Sequence, residues 1–310
     1  MRIFHDYRAV PADAKGASAA IGNFDGVHLG HRAVIDLARG AAMGAPLGIV
    51  TFAPHPREFF APDAPPFRLM SPGARANRLA KIGVDILFEL PFDAEMAALT
   101  PRDFARQVIA EGLGLSHLVV GTDFRFGKGR EGTSEMLRGF GAEMGFDVTI
   151  AAPVGENGDR ISSTLIRQAL GEGRPRDAAR MLGHWHRIEG TIISGHKRGR
   201  NLGYPTANMA ITGLHPPRFG VYAVLVDVLT GPHAGQYHGA ASLGTRPMFD
   251  GEVANLETFI FDFSGDLYGA DLSVGLVEFL RPEATFDSLD AFIAQMDADC
   301  AEARRILDAL

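Results

Sequence analysis

Apolar and polar positions change rhythm once along the chain, near residue 184. Before about residue 153, short apolar runs at 17–21, 47–52, 85–90, 117–121 and 146–151 alternate with longer stretches of helical spacing. After His31, for example, Ala33, Val34, Leu37, Ala38 and Ala41 recur at that spacing, which predicts a helix starting near His28 with these residues on its inner face. Thr100-Pro101 with Asp103, and Thr133-Ser134-Glu135, read as further helix starts: a hydroxyl cap followed by proline or an acidic residue. Strands alternating with helices predict an α/β domain with a parallel sheet.

A break at 171–175 and a short helix at 176–182 lead into a different pattern. Runs at 187–194, 220–229, 237–243, 256–263 and 272–280 are rich in β-branched and aromatic residues, with Gly, Pro and Asp between them. Closely spaced strands of this kind predict a small antiparallel barrel. A last helix at 287–309 carries Leu289, Phe292, Ile293, Met296, Ala303 and Ile306 on one stripe and is expected to pack on the barrel. The expected organisation is two domains, 1–183 and 184–310.

Composition narrows the class. Of 310 residues, 46% are hydrophobic and 22% charged, as in ordinary globular proteins. A net charge of -7 argues against general nucleic-acid binding, so basic clusters need local explanations. One cysteine, Cys300, excludes an intramolecular disulfide framework and cysteine-based metal clusters. Residues 1–16 lack the apolar core of a signal peptide, and no run reaches the eighteen apolar residues of a membrane helix. A cytoplasmic protein with neither nucleic-acid nor membrane partners is expected.

Candidate chemistry sits where predicted strands end, which is where open α/β sheets bind ligands. Gly22-Asn23-Phe24-Asp25-Gly26-Val27-His28-Leu29-Gly30-His31 joins the first such strand to its helix. Gly22 and Gly26 permit a tight turn, and His28 and His31, three apart, share a helix face beside the positive first turn. Such an end attracts anions. A third ligand for a metal is missing from that face. Two loops after later strands carry aromatics with basic groups: Pro54-His55-Pro56 with Phe59 and Phe60, and Asp123-Phe124 leading to Lys128 and Arg130. The first could wall a pocket for a flat ligand, or tuck Phe59 and Phe60 into the core. Gly127, Gly129 and Gly132 match GxGxxG, but the match lies six residues past the strand and lacks the direct turn into a helix that a dinucleotide site requires. Ser162-Ser163-Thr164, with Arg167 one turn on, could hold phosphate groups or simply cap a helix.

In the second half, 195–208 reads GHKRGRNLGYPTAN. Lys197, Arg198 and Arg200 suggest a phosphorylated ligand, against the alternative of a solvated loop. If the chain is extended there, Thr206 and Asn208 face one way and offer hard oxygens suited to Mg²⁺. Alternation puts Glu257 on one face with Phe259, Phe261 and Phe263, a costly place for a carboxylate without a partner or a task.

Taken in order, GNFDGVHLGH, TFAPHPREFF, GTDFRFG and SSTLIR resemble the FAD synthetase domain of bacterial bifunctional riboflavin kinase/FMN adenylyltransferases, Rossmann-like nucleotidyltransferases marked by an HxGH element. GHKRGRNLGYPTAN, GVYAV and LETFIFDFSGDLYG resemble the flavokinase domain of the same family. The resemblance implies two reactions: riboflavin and ATP give FMN, then FMN and ATP give FAD and pyrophosphate. It implies Mg²⁺ as cofactor, ATP as co-substrate, and FMN and FAD as intermediate and product. The alternative is a flavin-binding protein that keeps only one activity.

By resemblance, His28 and His31 contact the ATP phosphates and the transition state, supported by Gly22, Asn23, Phe24 and Asp25. Ser163, Thr164 and Arg167 hold the departing phosphates, while Pro54, His55, Pro56, Asp123 and Phe124 face the flavin. In the kinase half, Lys197 and Arg200 contact ATP, Thr206 and Asn208 serve Mg²⁺, and Glu257 is the general base. The chain departs from the usual family pattern at Ser242 and Met248, where Asn and Thr are usual.

Overall fold

The computed structural model describes residues 1–42, 44–153, 155–156, 159–193, 204–248 and 251–310, without the side chains of 155–156, 159–160, 246–248 and 251–253. The chain divides into two compact units, residues 1–64 with 75–161, and 65–74 with 162–310.

In the first unit, β1 (Arg2–Phe4), β2 (Ser18–Ile21), β3 (Leu47–Ala53), β4 (Ile86–Pro91), β5 (His117–Gly121) and β6 (Asp147–Ala151) form one sheet. Its order is β1-β4-β3-β2-β5-β6, with every pair parallel. The short strand β1 went unrecognised in the sequence pattern. Strands covered on both faces read as continuous apolar runs, and β2 is buried at all four positions. The chain leaves β2 toward β3 and later returns to β5 on the other side of β2. The carboxyl ends of β2 and β5 therefore border the switch point at which such sheets open a crevice.

Helix α1 (Leu29–Ala41) follows β2. Its buried positions are Ile35 and Ala38, while Leu37 is 46% exposed and Ala41 is exposed too, so the expected inner face is corrected by one residue. Alanine sits as readily on either face. The single isoleucine sets the orientation, and it turns His31 inward. At the opposite, amino end of the sheet, His117 is buried between Ser18 (Nδ1 to Oγ, 2.9 Å) and Thr149 (Nε2 to Oγ1, 2.9 Å). Ser18 donates its hydroxyl to Ala38 O at 2.8 Å, so it accepts from Nδ1–H and leaves Nε2 to accept from Thr149. This histidine is structural.

In the second unit, β7 (His186–Thr191), β8 (Thr206–Ala210), β9 (Gly220–Val228), β10 (Gly235–Met248), β11 (Gly251–Ile260) and β12 (Asp271–Arg281) form an antiparallel sheet in the order β7-β12-β9-β10-β11-β8. A bridge between Ile193 and Asn208 brings the two ends of that order together, as a barrel requires. Leu243, Leu256, Leu272, Val274 and Leu276 fill the interior. The last helix, Leu289–Leu307, packs Ala303, Ile306 and Leu307 against Ala223, Ala240, Phe261 and Val277 on the outer face. Arg281 clamps this helix through the Asp299 carboxylate at 2.8–3.0 Å. Leu289 at the start of the expected stripe is 56% exposed.

The helices Ser163–Gly171 and Pro175–Leu182 were expected to close the first domain, yet they group with the second unit. Ile166, Ala169, Leu170, Ala178 and Leu182 pack with Leu69 from the 65–74 segment, and His215 N–H donates to Arg68 O at 2.8 Å. Arg176 reaches the Glu278 carboxylate of β12.

Burial holds His117 below the ordinary range, as it does His186 of β7, which is pushed down to about 3 with help from His184 and His215. The folded chain therefore resists protons that the unfolded chain accepts. Stability from each group is complete above about pH 6.5 and is lost as pH falls below it, at up to about 1.4 kcal/mol per pH unit. For His186 that window runs down to about pH 3. Trp185, the sole tryptophan, is a fluorescence probe beside it. His186→Gln is expected to flatten the fall in urea midpoint between pH 6.5 and 5; an unchanged slope refutes the assignment.

Candidate active sites

The loop after β2 is conformationally strained. Phe24 (φ 50) and Val27 (φ 43) adopt left-handed backbone, which for a β-branched valine is a true outlier, and Gly26 (φ 87) completes the turn. Phe24 and Val27 are both buried, and Val27 N–H closes the turn on Phe24 O at 3.2 Å. Gly22 N–H donates to Val50 O at 3.1 Å, tying the start of the loop to β3. Asp25 is buried and Asn23 is exposed.

His28 is the N-cap of α1 and accepts the His31 N–H on Nδ1 at 3.2 Å. With Nδ1 so engaged, a neutral His28 ring carries its proton on Nε2 and presents a donor. The His28 and His31 rings stack at 3.6 Å and 15°, with Phe24 tilted against His31 at 5.1 Å. His31 Nδ1 is buried with no hydrogen-bond partner. Burial first, and His28 second, hold His31 well below the usual imidazole range. The first-turn N–H groups of Leu29 and Gly30 have no carbonyl within the helix to bond. A donor-rich pair at a helix start suits an anion, whose charge replaces the missing hydrogen-bond partner. Gly30 leaves room for the His28 ring: a Cβ there would lie 3.1 Å from His28 Cε1, closer than ordinary contact.

Around the carboxyl ends of β3 and β5 the flavin candidates divide. His55 caps the helix Pro56–Phe60, its Nδ1 accepting from Arg57 N–H at 3.0 Å while its own N–H donates to Glu58 Oε2 at 3.0 Å. Pro54 precedes it and Pro56 opens that helix. Phe60 is 68% exposed and meets Phe59 and Phe92 edge-on at 5.1 and 5.8 Å, so of the two expectations for this loop, burial of Phe60 in the core is excluded. Phe124 stacks on Phe126 at 5.6 Å, and Asp123 is exposed.

In the second unit, Ser162 caps the helix Ser163–Gly171 by accepting Leu165 N–H at 3.3 Å. Arg167 donates to Phe67 O at 3.2 Å and Thr164 Oγ1 at 3.5 Å, which steers its guanidinium back toward the helix start. Ser163 is the first residue of that helix.

On the barrel, Thr206 lies opposite Phe259 and Asn208 opposite Glu257. Asn208 Nδ2 donates to Thr206 O at 3.2 Å and Oγ1 at 3.4 Å. The sequence reading missed Asn255, buried on the same face, whose Nδ2 donates to Asn208 Oδ1 at 3.3 Å and Glu257 Oε1 at 3.4 Å. Its only signal was a polar residue two before Glu257 in an apolar strand. Ser242, one of the two departures, lies directly across from Glu257 on β10. The expected aromatic face needs correction at one position. The strand ends at Ile260, the chain turns at Asp262 (φ 54), and Phe263 packs on Tyr237 at 5.3 Å with the barrel core. Phe259 and Phe261 remain with the outer cluster. Lys197 and Arg200 lie outside the described residues, as does the side chain of Met248.

Thr206 Oγ1 and Asn208 Oδ1 fit Mg²⁺ as neutral hard oxygens that add to the ligands a nucleotide's phosphates supply. Among the described residues no three His, Cys, Asp or Glu side chains group as a cation site, and no helix is long and apolar enough to cross a membrane.

Comparison with known proteins finds the same two parts. Residues 10–165 match the family described as FAD synthetase, and residues 182–307 the one described as riboflavin kinase. A Pseudomonas fluorescens protein named bifunctional riboflavin kinase/FMN adenylyltransferase is 38% identical over 309 residues, covering 99% of this chain and 98% of its own. The protein of that name from Escherichia coli strain K12 is 40% identical over 306 residues, covering 98% and 96%. Among solved structures, one from Streptococcus pneumoniae described as a macrolide-efflux protein superposes with a TM-score of 0.84 at 32% identity, covering 98% of each chain.

Proposed function

The chain belongs to the family of bifunctional riboflavin kinases/FMN adenylyltransferases, and from that premise we infer which of its residues carry each step. It is an enzyme of flavin cofactor synthesis, converting riboflavin to FMN and FMN to FAD at the expense of ATP. The residue assignments below are the proposal, apportioned between 1–183 for adenylylation and 184–310 for the kinase.

For adenylyl transfer, the FMN phosphate attacks the α-phosphorus of ATP and pyrophosphate departs. Neither step needs a protein nucleophile, so alignment and charge stabilisation carry the catalysis. The observation that supports this most is the stacked pair: His28 offers an Nε2 donor, and His31 a buried Nδ1 lacking a partner. Gly22, Asn23, Phe24 and Asp25 shape the anion loop around it. Ser163, Thr164 and Arg167 are assigned to ATP phosphates on the strength of the helix start they occupy, and Pro54, His55, Pro56, Asp123 and Phe124 to the flavin.

For the kinase, Glu257 removes the proton of the riboflavin 5′-hydroxyl as that oxygen attacks the γ-phosphorus, and ADP departs. Thr206 and Asn208 would hold Mg²⁺, whose charge would neutralise the charge that develops on the phosphates. Lys197 and Arg200 are assigned to ATP. A cytoplasmic site of action, where ATP and Mg²⁺ are supplied, belongs to the same proposal.

Riboflavin, ATP and Mg²⁺ incubated with the enzyme should yield FMN first and FAD after a lag. Starting from FMN, FAD and pyrophosphate should appear without one. FMN accumulating with no FAD, or FAD forming only from supplied FMN, would reduce the chain to a single activity.

A further inference from the structure

The strained loop at 22–28 has a buried support that the motif does not include. Arg75, only 5% exposed, donates from Nη1 to the Asn23 carbonyl at 3.1 Å and from Nη2 to Glu89 Oε1 at 2.6 Å. Thr51, fully buried, donates its hydroxyl to the same carbonyl at 3.3 Å. Glu89 sits in β4, and its other oxygen lies 3.6 Å from His5 Nδ1. The Asn23 carbonyl thus takes two donors from the protein interior.

A trans peptide points its N–H opposite to its C=O. Fixing the Asn23 carbonyl toward Arg75 and Thr51 therefore fixes the Phe24 N–H on the other side of the loop, and with it the left-handed turn at Phe24 that sets its ring, tilted, against His31. Burying a guanidinium and a carboxylate is costly, and apolar residues of similar size commonly give equal or greater stability. The pair nonetheless directs a second hydrogen bond, from Arg75 Nη1, to one carbonyl of a strained anion loop.

We propose that Arg75, oriented by Glu89, is a positioning residue for adenylyl transfer: it holds the Asn23–Phe24 peptide so that the loop presents its donors and the His28–His31 stack to the ATP phosphates. The role is mechanical, because Arg75 acts through the loop backbone rather than on substrate. It rests on the reading of His28 and His31 as the phosphate site.

Lysine keeps the charge but offers a point donor that does not span Asn23 and Glu89 as the guanidinium fork does. Arg75→Lys should lower kcat for FMN-to-FAD conversion by about 10²-fold, the scale of a small misplacement of reacting groups, with the KM for FMN unchanged. Riboflavin phosphorylation by the same molecules should stay at the wild-type rate, because the barrel lies in the other compact unit, and the variant's circular dichroism and melting transition report the folded fraction. Thr51→Val, close in shape, removes the second donor and should lower kcat roughly fivefold, the scale of one hydrogen bond. If Arg75→Lys does not fold, Thr51→Val decides alone. A kcat within twofold of wild type in the folded variants, even with a lower melting temperature, overturns the inference and leaves Arg75 a packing residue. His28→Ala, measured alongside, separates the two readings. If it keeps FAD formation, the phosphate site itself is misassigned; if it loses FAD formation while Arg75→Lys keeps it, only the positioning role fails.

Discussion

His28→Ala should turn this enzyme into a riboflavin kinase that stops at FMN, with FAD formation down by roughly 10²–10³-fold and FMN formation unchanged. The magnitude is that of removing one preorganised donor from a transition state in which charge builds on phosphate oxygens. His28 has two roles that this variant removes together. Its Nδ1 caps α1 by accepting the His31 N–H, and with that nitrogen engaged the proton of the neutral ring sits on Nε2, the donor assigned to the phosphates. Losing a cap costs about 1 kcal/mol of stability, far too little to depress a rate a hundredfold in a folded protein. His28→Asn separates the roles, since asparagine is a strong N-cap but its shorter side chain does not extend a donor to where Nε2 lies. If the catalytic role is right, Asn restores the urea midpoint without restoring FAD synthesis. Recovery of both would make His28 a cap and nothing more.

The chemistry of this loop was legible because it is local. Gly22, Gly26 and two histidines three apart are enough to predict a turn, a helix start and a shared face. What escaped the sequence depends on residues distant along the chain. Arg75 reaches Asn23 across 52 positions and Asn255 reaches Asn208 across 47, and neither pairing leaves a periodic trace. The inner face of helix α1 was misplaced by one residue because it is written mostly in alanine, and Ile35, with Ala38, sets the orientation. Phe263 was placed by extending a period of two past the end of a strand, where the turn at Asp262 cancels it. The grouping of the helices at 163–182 followed the same rule. Their apolar sides found Leu69, nearly a hundred residues earlier, and no local signal announces such a partner. Chemistry-bearing residues cluster in short segments, so the sites were easier to read than the packing that supports them.

The second large effect is expected in the other half of the chain. Glu257→Gln should reduce FMN formation by about 10²–10⁴-fold, the range for loss of a general base, and leave conversion of supplied FMN to FAD intact. Glutamine preserves the volume and keeps an oxygen that can accept from Asn255, so the link to Asn208 can persist. What it removes is the proton acceptor. Phosphoryl transfer passes through a loose transition state in which the attacking hydroxyl is only partly deprotonated, which places the expectation toward the lower end of that range. A pure positioning role for the carboxylate would instead raise the riboflavin KM with little change in kcat, because an uncharged oxygen can still orient a hydroxyl. The kcat-against-KM split therefore tests the assignment more sharply than the size of the loss. FMN-to-FAD turnover in the same sample should stay at the wild-type rate, because the histidine loop lies in the other compact unit, and an unchanged melting transition shows that the barrel carrying the substitution is folded.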